Sequence, residues 1–409
     1  MGERVKGAAP GLSRRAVVAG AALGGAALAG GVALTTGEGS KPSAMLRRQL
    51  GRTGLEVSEV GFGGFPISDP EVLLYALDRG INYVDSSHCY RGGDSESVIG
   101  RALAGRRDSF VVATKWCPHH AGQPATKQVF LDQLDASLRR LQTDHVDVLF
   151  NHEVGRQSDR LGVERLKNPE MLAAWESARR AGKARFLGVS GHDGDLSQVV
   201  GYAIDSRQFD VVLCRYSFLD YPEQQDWIER AAAAGVGFVA MKTLAGAKGA
   251  DLDSFRRAEG RQTTFKQAAL KWVLSNRKVS NLIISISTRR QVDEYAAASG
   301  APLTAADGAL LAEYAGLFSR EVCRFCNACE PACPDDVRIA DVLRFSMYFH
   351  EYGESERAKQ AYAGLLSSER ATHCSSCGGF CEASCGYDLP VKRLLLRAEE
   401  ALASRLERS

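Results

Sequence analysis

Eight short apolar runs alternate with amphipathic helix patterns between residues 45 and 301, and this alternation constrains the fold more than any other feature. The runs are Val57–Phe62, Asn82–Asp85, Phe110–Thr114, Val146–Asn151, Phe186–Val189, Asp210–Cys214, Val236–Met241 and Asn281–Ile286. Between them, apolar residues recur at helical spacing, as Leu131, Leu134 and Leu138 do. Near-continuous apolar strands that alternate with helices are typical of a parallel sheet covered by helices.

The number of repeats separates the two common architectures with a parallel sheet. Eight units in about 250 residues match the size of a closed (β/α)8 barrel. An open, doubly wound sheet is the alternative, and a Gly-x-Gly-x-x-Gly turn after its first strand would favour it. The run Gly61–Gly64 lacks that spacing. We therefore expect an α/β fold with a (β/α)8 TIM barrel over residues 45–301.

Polar residues follow three consecutive strands of the expected barrel, at the end where the chemistry of such barrels takes place. Asp85 and Tyr90 follow strand two, Lys115 follows strand three and His152 follows strand four. A nearby ammonium lowers the pKa of a phenol, and a carboxylate keeps that ammonium charged and oriented. An imidazole orients a carbonyl oxygen through a hydrogen bond. Each residue alone also fits an ordinary surface or strand-end role, but the four together predict proton transfer to or from a carbonyl group.

Motifs around these four residues occur in a characteristic order. The run Leu50–Ser58 leads into Gly61-Phe62-Gly63, Ile81–Asp85 precedes Tyr90, Ala113-Thr114-Lys115 follows, and Asp147–His152 places a histidine five residues after an aspartate. These motifs resemble the aldo/keto reductase family over roughly residues 45–298. The resemblance implies hydride transfer between a nicotinamide cofactor and a small-molecule carbonyl or alcohol. It also implies that Tyr90 is the general acid/base, supported by Lys115 and Asp85, and that His152 orients the substrate.

At the positions where the family binds its cofactor, this sequence follows the family pattern less closely. Ser190 matches the serine that bonds the nicotinamide carboxamide, but Gly191 stands where relatives usually have asparagine. Leu213 and Met241 replace a glutamine and the tyrosine that stacks on the nicotinamide. The Met241-Lys242 pair and the Gly-x-Ser-Gly-His run over residues 188–192 resemble a branch of the family that carries an iron–sulfur tail.

Three basic residues complete the cofactor site that the resemblance implies. Lys242 is expected to contact a phosphate group. Arg289 and Arg290 stand where relatives bind the adenosine 2′-phosphate, so they favour NADP over NAD. A solvated helix start is the alternative interpretation of the two arginines.

Eight of the 11 cysteines lie between residues 323 and 385, so the tail differs chemically from the barrel. The first four, Cys323, Cys326, Cys329 and Cys333, precede a proline with the spacing of bacterial ferredoxins. The second four are Cys374, Cys377, Cys381 and Cys385, with one extra residue before Cys381 and Gly386 in place of the expected proline. The spacing predicts a mainly helical, ferredoxin-like domain over residues 302–409, with helices at 339–351, 355–366 and 391–406.

We expect two [4Fe–4S] clusters in this tail, because a cubane takes four thiolates and the fourth cysteine of each run reaches the other cluster. One set of ligands is Cys323, Cys326, Cys329 and Cys385, and the other is Cys333, Cys374, Cys377 and Cys381. The inserted residue also allows a single cluster. Zinc binding or disulfide formation would suit the same cysteines as well.

Three cysteines lie in the barrel region instead. Cys89, Cys117 and Cys214 all fall near the expected barrel mouth, beside His88, His119, His120 and His192. A free cysteine is most often a small buried apolar residue, so this is the first interpretation. A metal site or a redox-active thiol site is the second.

The first 44 residues have the character of an export signal and linker. Arg14 and Arg15 precede Ala16–Leu34, a run of 19 residues made only of Ala, Gly, Val and Leu. This pattern resembles a twin-arginine signal, which exports folded proteins that already hold cofactors. We expect export from the cytoplasm. An uncleaved signal that anchors the protein to the membrane is the alternative.

Charge and motifs leave two functions open. With 51 basic and 49 acidic residues, the chain has no nucleic-acid-binding footprint. The first function is an NADP- or NAD-dependent oxidoreductase whose clusters are structural or pass electrons to a redox partner protein. The second is an exported iron–sulfur electron-transfer protein whose barrel no longer uses a freely exchanging nicotinamide.

Overall fold

The computed structural model describes residues 45–118, 122–152, 154, 162–191, 196–219, 222–245 and 263–404. The predicted signal therefore lies outside the described residues, as do His119, His120 and His192. No helix within these ranges has both the length and the apolar character that a membrane span requires.

The barrel and its helices lie between residues 47 and 318. The elements in order are β1 (Arg47–Gln49), β2 (Glu56–Ser58), β3 (Val60–Gly63), α1 (Pro70–Asp78), β4 (Tyr83–Asp85), α2 (Asp94–Leu103), β5 (Val111–Trp116), α3 (Lys127–Leu141), β6 (Val146–Asn151), α4 (Val163–Leu166), α5 (Pro169–Arg180), β7 (Ala184–Gly191), α6 (Leu196–Asp205), β8 (Val211–Arg215), α7 (Pro222–Ala233), β9 (Gly237–Met241), α8 (Phe265–Ser275), β10 (Asn281–Ser285), α9 (Arg289–Ala296) and α10 (Ala305–Phe318).

Strands β3 to β10 form a closed, parallel barrel in sequence order, which confirms the expected (β/α)8 fold. The last strand hydrogen-bonds to the first, with Leu282 opposite Val60. The buried Glu59 stabilises this seam: its carboxylate lies 2.6 Å from Arg48 and accepts a hydrogen bond from Ser299 at 2.9 Å. Arg48 also donates to the backbone oxygen of Val279 beside β10. The two ends of the barrel sequence are thereby held together.

The apolar run predicted as strand one contains two strands. Val57 and Ser58 belong to β2, which pairs antiparallel with β1, whereas β3 begins at Val60 and enters the barrel. Apolar character alone did not separate them, because both strands are buried. The other seven predicted strands agree with the structure to within two residues at either end.

The β1–β2 hairpin closes the N-terminal end of the barrel. Leu50, Leu55 and Val57 join the apolar cluster inside the barrel, together with side chains such as Phe150 from the strands. A larger cluster fills the space between strands and helices. The connection passes so close to β9 that a Cβ atom on Gly51 would lie 2.3 Å from the backbone nitrogen of Gly237.

Helix α10 also packs on the barrel. Its Leu310, Leu311 and Tyr314 share an apolar cluster with Phe265 and Ala268 of α8. This helix adds to the outer layer of the barrel. The barrel region predicted from the sequence ends earlier, at residue 301.

The tail has a second apolar core and is mainly helical, with α11 (Ile339–His350), α12 (Ser355–Ala363), α13 (Phe380–Ala383) and α14 (Val391–Leu402). Phe345 and Tyr362 pack with Leu395 in this core, and several of the tail cysteines line it. The predicted helices begin at the residues where α11, α12 and α14 begin, but each extends further than its helix does.

We predict that Gly51→Ala destabilises the barrel strongly. Gly51 has a φ of +54°, a region that costs other residues about 1–2 kcal/mol. The clash with β9 adds about 1–3 kcal/mol, the usual scale for overpacking. The free energy of unfolding, measured with denaturant, should fall by the sum of these costs.

Gly54→Ala is the matched control. Gly54 also has a positive φ, of +73°, but a Cβ atom there would have no neighbour within 4 Å. Only the conformational cost should appear in this variant. Equal destabilisation by the two substitutions would contradict the proposed close packing of the hairpin on β9.

Candidate active site

Three neighbouring strands bring the four predicted catalytic residues to one end of the barrel. Asp85 ends β4, Lys115 lies near the end of β5, and His152 follows β6. Tyr90 begins a short 3-10 turn after β4. Because β4, β5 and β6 are parallel and adjacent, their carboxyl ends meet at the same rim.

Lys115 and Asp85 form a buried ion pair. The Lys115 ammonium donates to Asp85 Oδ2 at 2.5 Å and to the backbone oxygen of Ser86 at 2.6 Å. Both side chains are 1% exposed. Burial raises the pKa of Asp85, because desolvation disfavours the carboxylate, and the Lys115 ammonium opposes that rise. The second oxygen, Oδ1, is buried and has no hydrogen-bond partner.

The ring of Tyr90 lies over this ion pair. Lys115 Nζ is 4.8 Å from the centroid of the ring, which is a cation–π distance. Phe65 and His152 contact the same ring edge-to-face, at centroid distances of 5.5 and 6.0 Å. The ammonium is therefore placed to stabilise negative charge on a Tyr90 phenolate.

His152 is 1% exposed and has sulfur atoms near one ring nitrogen. Its Nδ1 lies 3.3 Å from Cys117 Sγ, 3.5 Å from Cys89 Sγ and 3.4 Å from Ser87 Oγ. The side chain also lines the cavity beside Tyr90. The sequence predicts both cysteines near the barrel mouth but does not place them against His152.

A cavity of about 430 Å³ begins at Tyr90 and extends along the ends of β9 and β10. Its barrel wall includes Met241, Lys242, Ser285 and Ser287. This volume between Tyr90 and the last two strands leaves room for a small molecule.

The tail supplies the opposite wall of the cavity, which the sequence analysis did not predict. Tyr348, Glu351, Tyr352, Glu354 and Arg357 line it. The guanidinium of Arg357 lies 5.3 Å from the ring of Phe65 and 4.9 Å from that of Tyr348, so it joins barrel and tail. Helical periodicity does not show which face of a tail helix covers a barrel mouth.

The predicted cofactor contacts occupy different positions around the cavity. Lys242 lines it, and its Nζ lies 5.7 and 5.4 Å from the rings of Phe325 and Tyr348 in the tail. Ser190 is buried in β7 and is not among the described residues that line the cavity. Arg289 and Arg290 are exposed at the start of α9, outside the described lining but between Ser287 and Gln291, which belong to it.

The eight tail cysteines form two sets of four. The first set, Cys323, Cys326, Cys329 and Cys385, surrounds one small cavity, and the second set, Cys333, Cys374, Cys377 and Cys381, surrounds another. None of the eight forms a disulfide bond. Each set takes one cysteine from the other run, which is the grouping that the ferredoxin spacing predicts.

Burial disfavours the ionised form of Cys323 in the first set and of Cys374 in the second. It raises the pKa of Cys323 to about 12 and that of Cys374 to about 11, and neighbouring cysteines of the same set contribute. A bound cation would reverse this effect, because it stabilises thiolates.

The first cysteine set lies near the barrel mouth. Phe325, between two cysteines of the set, lies 5.8 Å from the guanidinium of Arg215 at the end of β8. The same ring contacts Lys242 on the cavity wall. Phe325 therefore links this set to the cavity beside Tyr90.

Comparison with known proteins agrees with this architecture. A family model described as the aldo/keto reductase family matches residues 67–315, more than half of the chain. L-galactose dehydrogenase of Arabidopsis thaliana is 29% identical over 283 residues, which cover 61% of this chain and 87% of that protein.

Solved structures show the same fold. The aldo-keto reductase AKR11C1 from Bacillus halodurans, in its holo form, superposes with a TM-score of 0.53 at 25% identity and covers 66% of this chain and 96% of that one. An aldo/keto reductase from Klebsiella pneumoniae, solved in complex with NADP and acetate, has a TM-score of 0.54 at 24% identity and covers 66% and 95%.

We predict that Lys115→Met destabilises the protein more as the pH rises. Because burial raises the pKa of Asp85 in the folded state, Asp85 contributes its full stabilisation only at pH values below the ordinary aspartate range. That contribution is lost as the pH rises through the folded-state pKa. Removing the ammonium raises that pKa further and leaves a buried carboxylate unpaired, which costs about 3–5 kcal/mol near neutral pH. Denaturant unfolding at several pH values between 5 and 8 measures the deficit.

The control is Lys183→Met, which breaks an ion pair with Asp135 whose partners are both more than a third exposed. Its deficit should stay below about 1 kcal/mol at each pH. A deficit for Lys115→Met that does not change with pH would contradict the assignment of the effect to Asp85.

Proposed function

Because the chain belongs to the aldo/keto reductase family, we propose that it transfers hydride between NADP(H) and the carbonyl or alcohol carbon of a small molecule. One observation carries this proposal: the buried Lys115–Asp85 pair lies against the Tyr90 ring at one end of a cavity large enough for a small substrate.

Each catalytic side chain has a separate role in carbonyl reduction. Tyr90 donates its phenolic proton to the carbonyl oxygen as the C=O π bond breaks, and the phenolate left behind is stabilised by Lys115. Asp85 keeps Lys115 charged and positioned. His152 donates a hydrogen bond to the same oxygen from the cavity wall. When bound, NADPH supplies the hydride that forms the new C–H bond.

The far part of the cavity fits the cofactor. Lys242 and Lys266 supply positive charge beside the hydroxyls of Ser285 and Ser287, a donor set that suits phosphate oxygens. The exposed Arg289 and Arg290 come soon after Ser287 in the chain and would reach a 2′-phosphate, which is the reason for proposing NADP rather than NAD. Ser190 would act at the nicotinamide end, as the family resemblance implies.

The tail residues on the cavity wall would select the substrate. Arg357 is cationic, and its guanidinium pairs with the Glu354 carboxylate at 2.8 Å on this wall. A small carbonyl compound with polar groups that meet this pair fits the wall better than a purely apolar one.

We predict that Tyr90→Phe reduces the rate of carbonyl reduction by roughly two to four decades, the usual scale for loss of a general acid. The ring and its contacts remain, so the affinity for NADPH should change little. Steady-state kinetics with a panel of small aldehydes and ketones, together with titration by NADPH and NADH, measure both quantities.

Tyr75→Phe is the matched control, because the Tyr75 hydroxyl bonds Asp293 on the outer helices. It should keep its full rate. Undiminished reduction by Tyr90→Phe would remove Tyr90 from the mechanism.

We further propose that the two cysteine sets hold two [4Fe–4S] clusters. Four cysteines without disulfide bonds around each cavity match the ligand requirement of a cubane. The contact of Phe325 with both Arg215 and Lys242 puts the first set beside the cavity and supports a role in passing electrons, whereas the second set would face a redox partner protein. When bound, the clusters supply one-electron steps.

The same contacts favour a second candidate function, which is electron transfer by an exported protein without an exchanging nicotinamide. Lys242, the proposed phosphate contact, lies against two aromatic rings of the tail. We propose export by the twin-arginine route on the basis of the leader, with membrane anchoring by an uncleaved signal as the alternative. Tight binding of NADPH would favour the first function over the second.

We predict that anaerobically purified protein contains about eight iron and eight sulfide per chain. Cys333→Ala and Cys381→Ala should each lower iron by about four and abolish the same cluster signal in electron paramagnetic resonance, although they lie in different runs. The cysteine grouping is the reason, since both residues line one cavity.

Cys214→Ala is the control, since this buried cysteine belongs to β8. Its iron content should equal that of the unmodified protein. Zinc in place of iron in the tail would contradict the cluster proposal. About four iron per chain, with an iron content that Cys381→Ala does not change, would show that the tail holds a single cluster.

A further inference from the structure

A second group of metal-ligating side chains lies at the barrel mouth, away from the tail. Cys89 follows β4, Cys117 follows β5 and His152 follows β6, so three adjacent strands supply one donor each. The Sγ atoms of the two cysteines and a ring nitrogen of the histidine all lie within 4.8 Å of one another.

The spacing of these atoms matches a tetrahedral zinc site. With Zn–S bonds of about 2.3 Å and Zn–N bonds of about 2.0 Å, a tetrahedron places sulfur and nitrogen about 3.5 Å apart. His152 Nδ1 lies 3.5 Å from Cys89 Sγ and 3.3 Å from Cys117 Sγ. Little movement would be needed for the three atoms to bind one ion.

Charge and burial favour a dication here. Cys117 and His152 are buried, and Cys89 is partly buried. Two thiolates and a neutral imidazole around a divalent cation have no net charge, so the complete centre avoids the large cost of an unpaired buried charge. Sulfur and imidazole donors select zinc over magnesium or calcium.

Neighbouring polar groups would support the ligands. Ser87 Oγ lies 3.1 Å from Cys89 Sγ, and the two ring nitrogens of His88 lie 3.5 and 3.7 Å from Cys117 Sγ. Hydrogen bonds from such groups stabilise bound thiolates and orient the ligands.

We propose that Cys89, Cys117 and His152 bind one zinc ion, with the fourth coordination position taken by a ligand from outside the protein. Two cysteines and one histidine are a donor set found in catalytic zinc sites, which keep one position open. Coordination through Nδ1 fixes the imidazole and leaves Nε2 as its hydrogen-bond donor. The role of that donor toward a substrate rests on the proposed function, whereas the site itself does not.

Zinc content and zinc X-ray absorption of the full-length protein, purified without chelators, test the site. We expect one zinc per chain, with two sulfur ligands at about 2.3 Å and at least one nitrogen ligand at about 2.0 Å. X-ray absorption at the zinc edge does not detect iron, so tail clusters do not interfere. Zinc bound by the tail cysteines would instead show four sulfur ligands.

Cys89→Ala and Cys117→Ala should each lose the zinc and keep the iron content of the unmodified protein. Cys89 is partly exposed, so its variant tests the site even if the buried Cys117→Ala fails to fold. Cys214→Ala, near the end of strand β8, is the matched control and should keep the zinc.

Three results would overturn the proposal: no zinc after incubation with stoichiometric zinc, a four-sulfur zinc spectrum, or a Cys89–Cys117 disulfide in the peptide map of freshly purified protein. Tyr90→Phe should keep the zinc while losing carbonyl reduction. If the protein binds no zinc but Tyr90→Phe shows the predicted loss of carbonyl reduction, the zinc site is wrong and the proposed function stands.

Discussion

Closure of the barrel is the constraint on which the rest of the structure depends. The pairing of β10 with β3 brings the two ends of a long sequence together, and the buried Glu59 holds this seam through Arg48 and Ser299. A closed parallel barrel places the carboxyl ends of all eight strands at one rim. Residues far apart in the chain, such as Asp85 and His152, thereby meet in one site without any direct bond between their strands.

At that rim, one buried ion pair lies at the centre of the proposed active site. Lys115 and Asp85 are almost inaccessible to water, so their charges act on the Tyr90 ring with little screening. The same pair affects stability, because a buried carboxylate tolerates its charge only beside an ammonium. The site has a second face behind His152, where two sulfur atoms lie close to Nδ1 and the cavity adjoins the ring.

The tail has its own core, yet it completes the site of the barrel. Tyr348, Tyr352 and Arg357 cover the cavity, and Phe325 contacts Lys242 beside the first set of cysteines. Substrate selection and any exchange of electrons with the tail would therefore involve the same surface. A change at this surface is expected to affect both domains, even though their apolar cores are separate.

The sequence by itself determined the eight strand–helix units, the order of Asp85, Tyr90, Lys115 and His152, and the spacing of the tail cysteines. These features are local: apolar periodicity and motif spacing are properties of short segments. It did not separate β2 from β3, since both are short, apolar and buried. Only the tertiary structure decided that α10 covers the barrel, that tail residues line the cavity, and that Cys89 and Cys117 adjoin His152. Contacts of this kind depend on strand register and on how helices pack, which no single segment of sequence specifies.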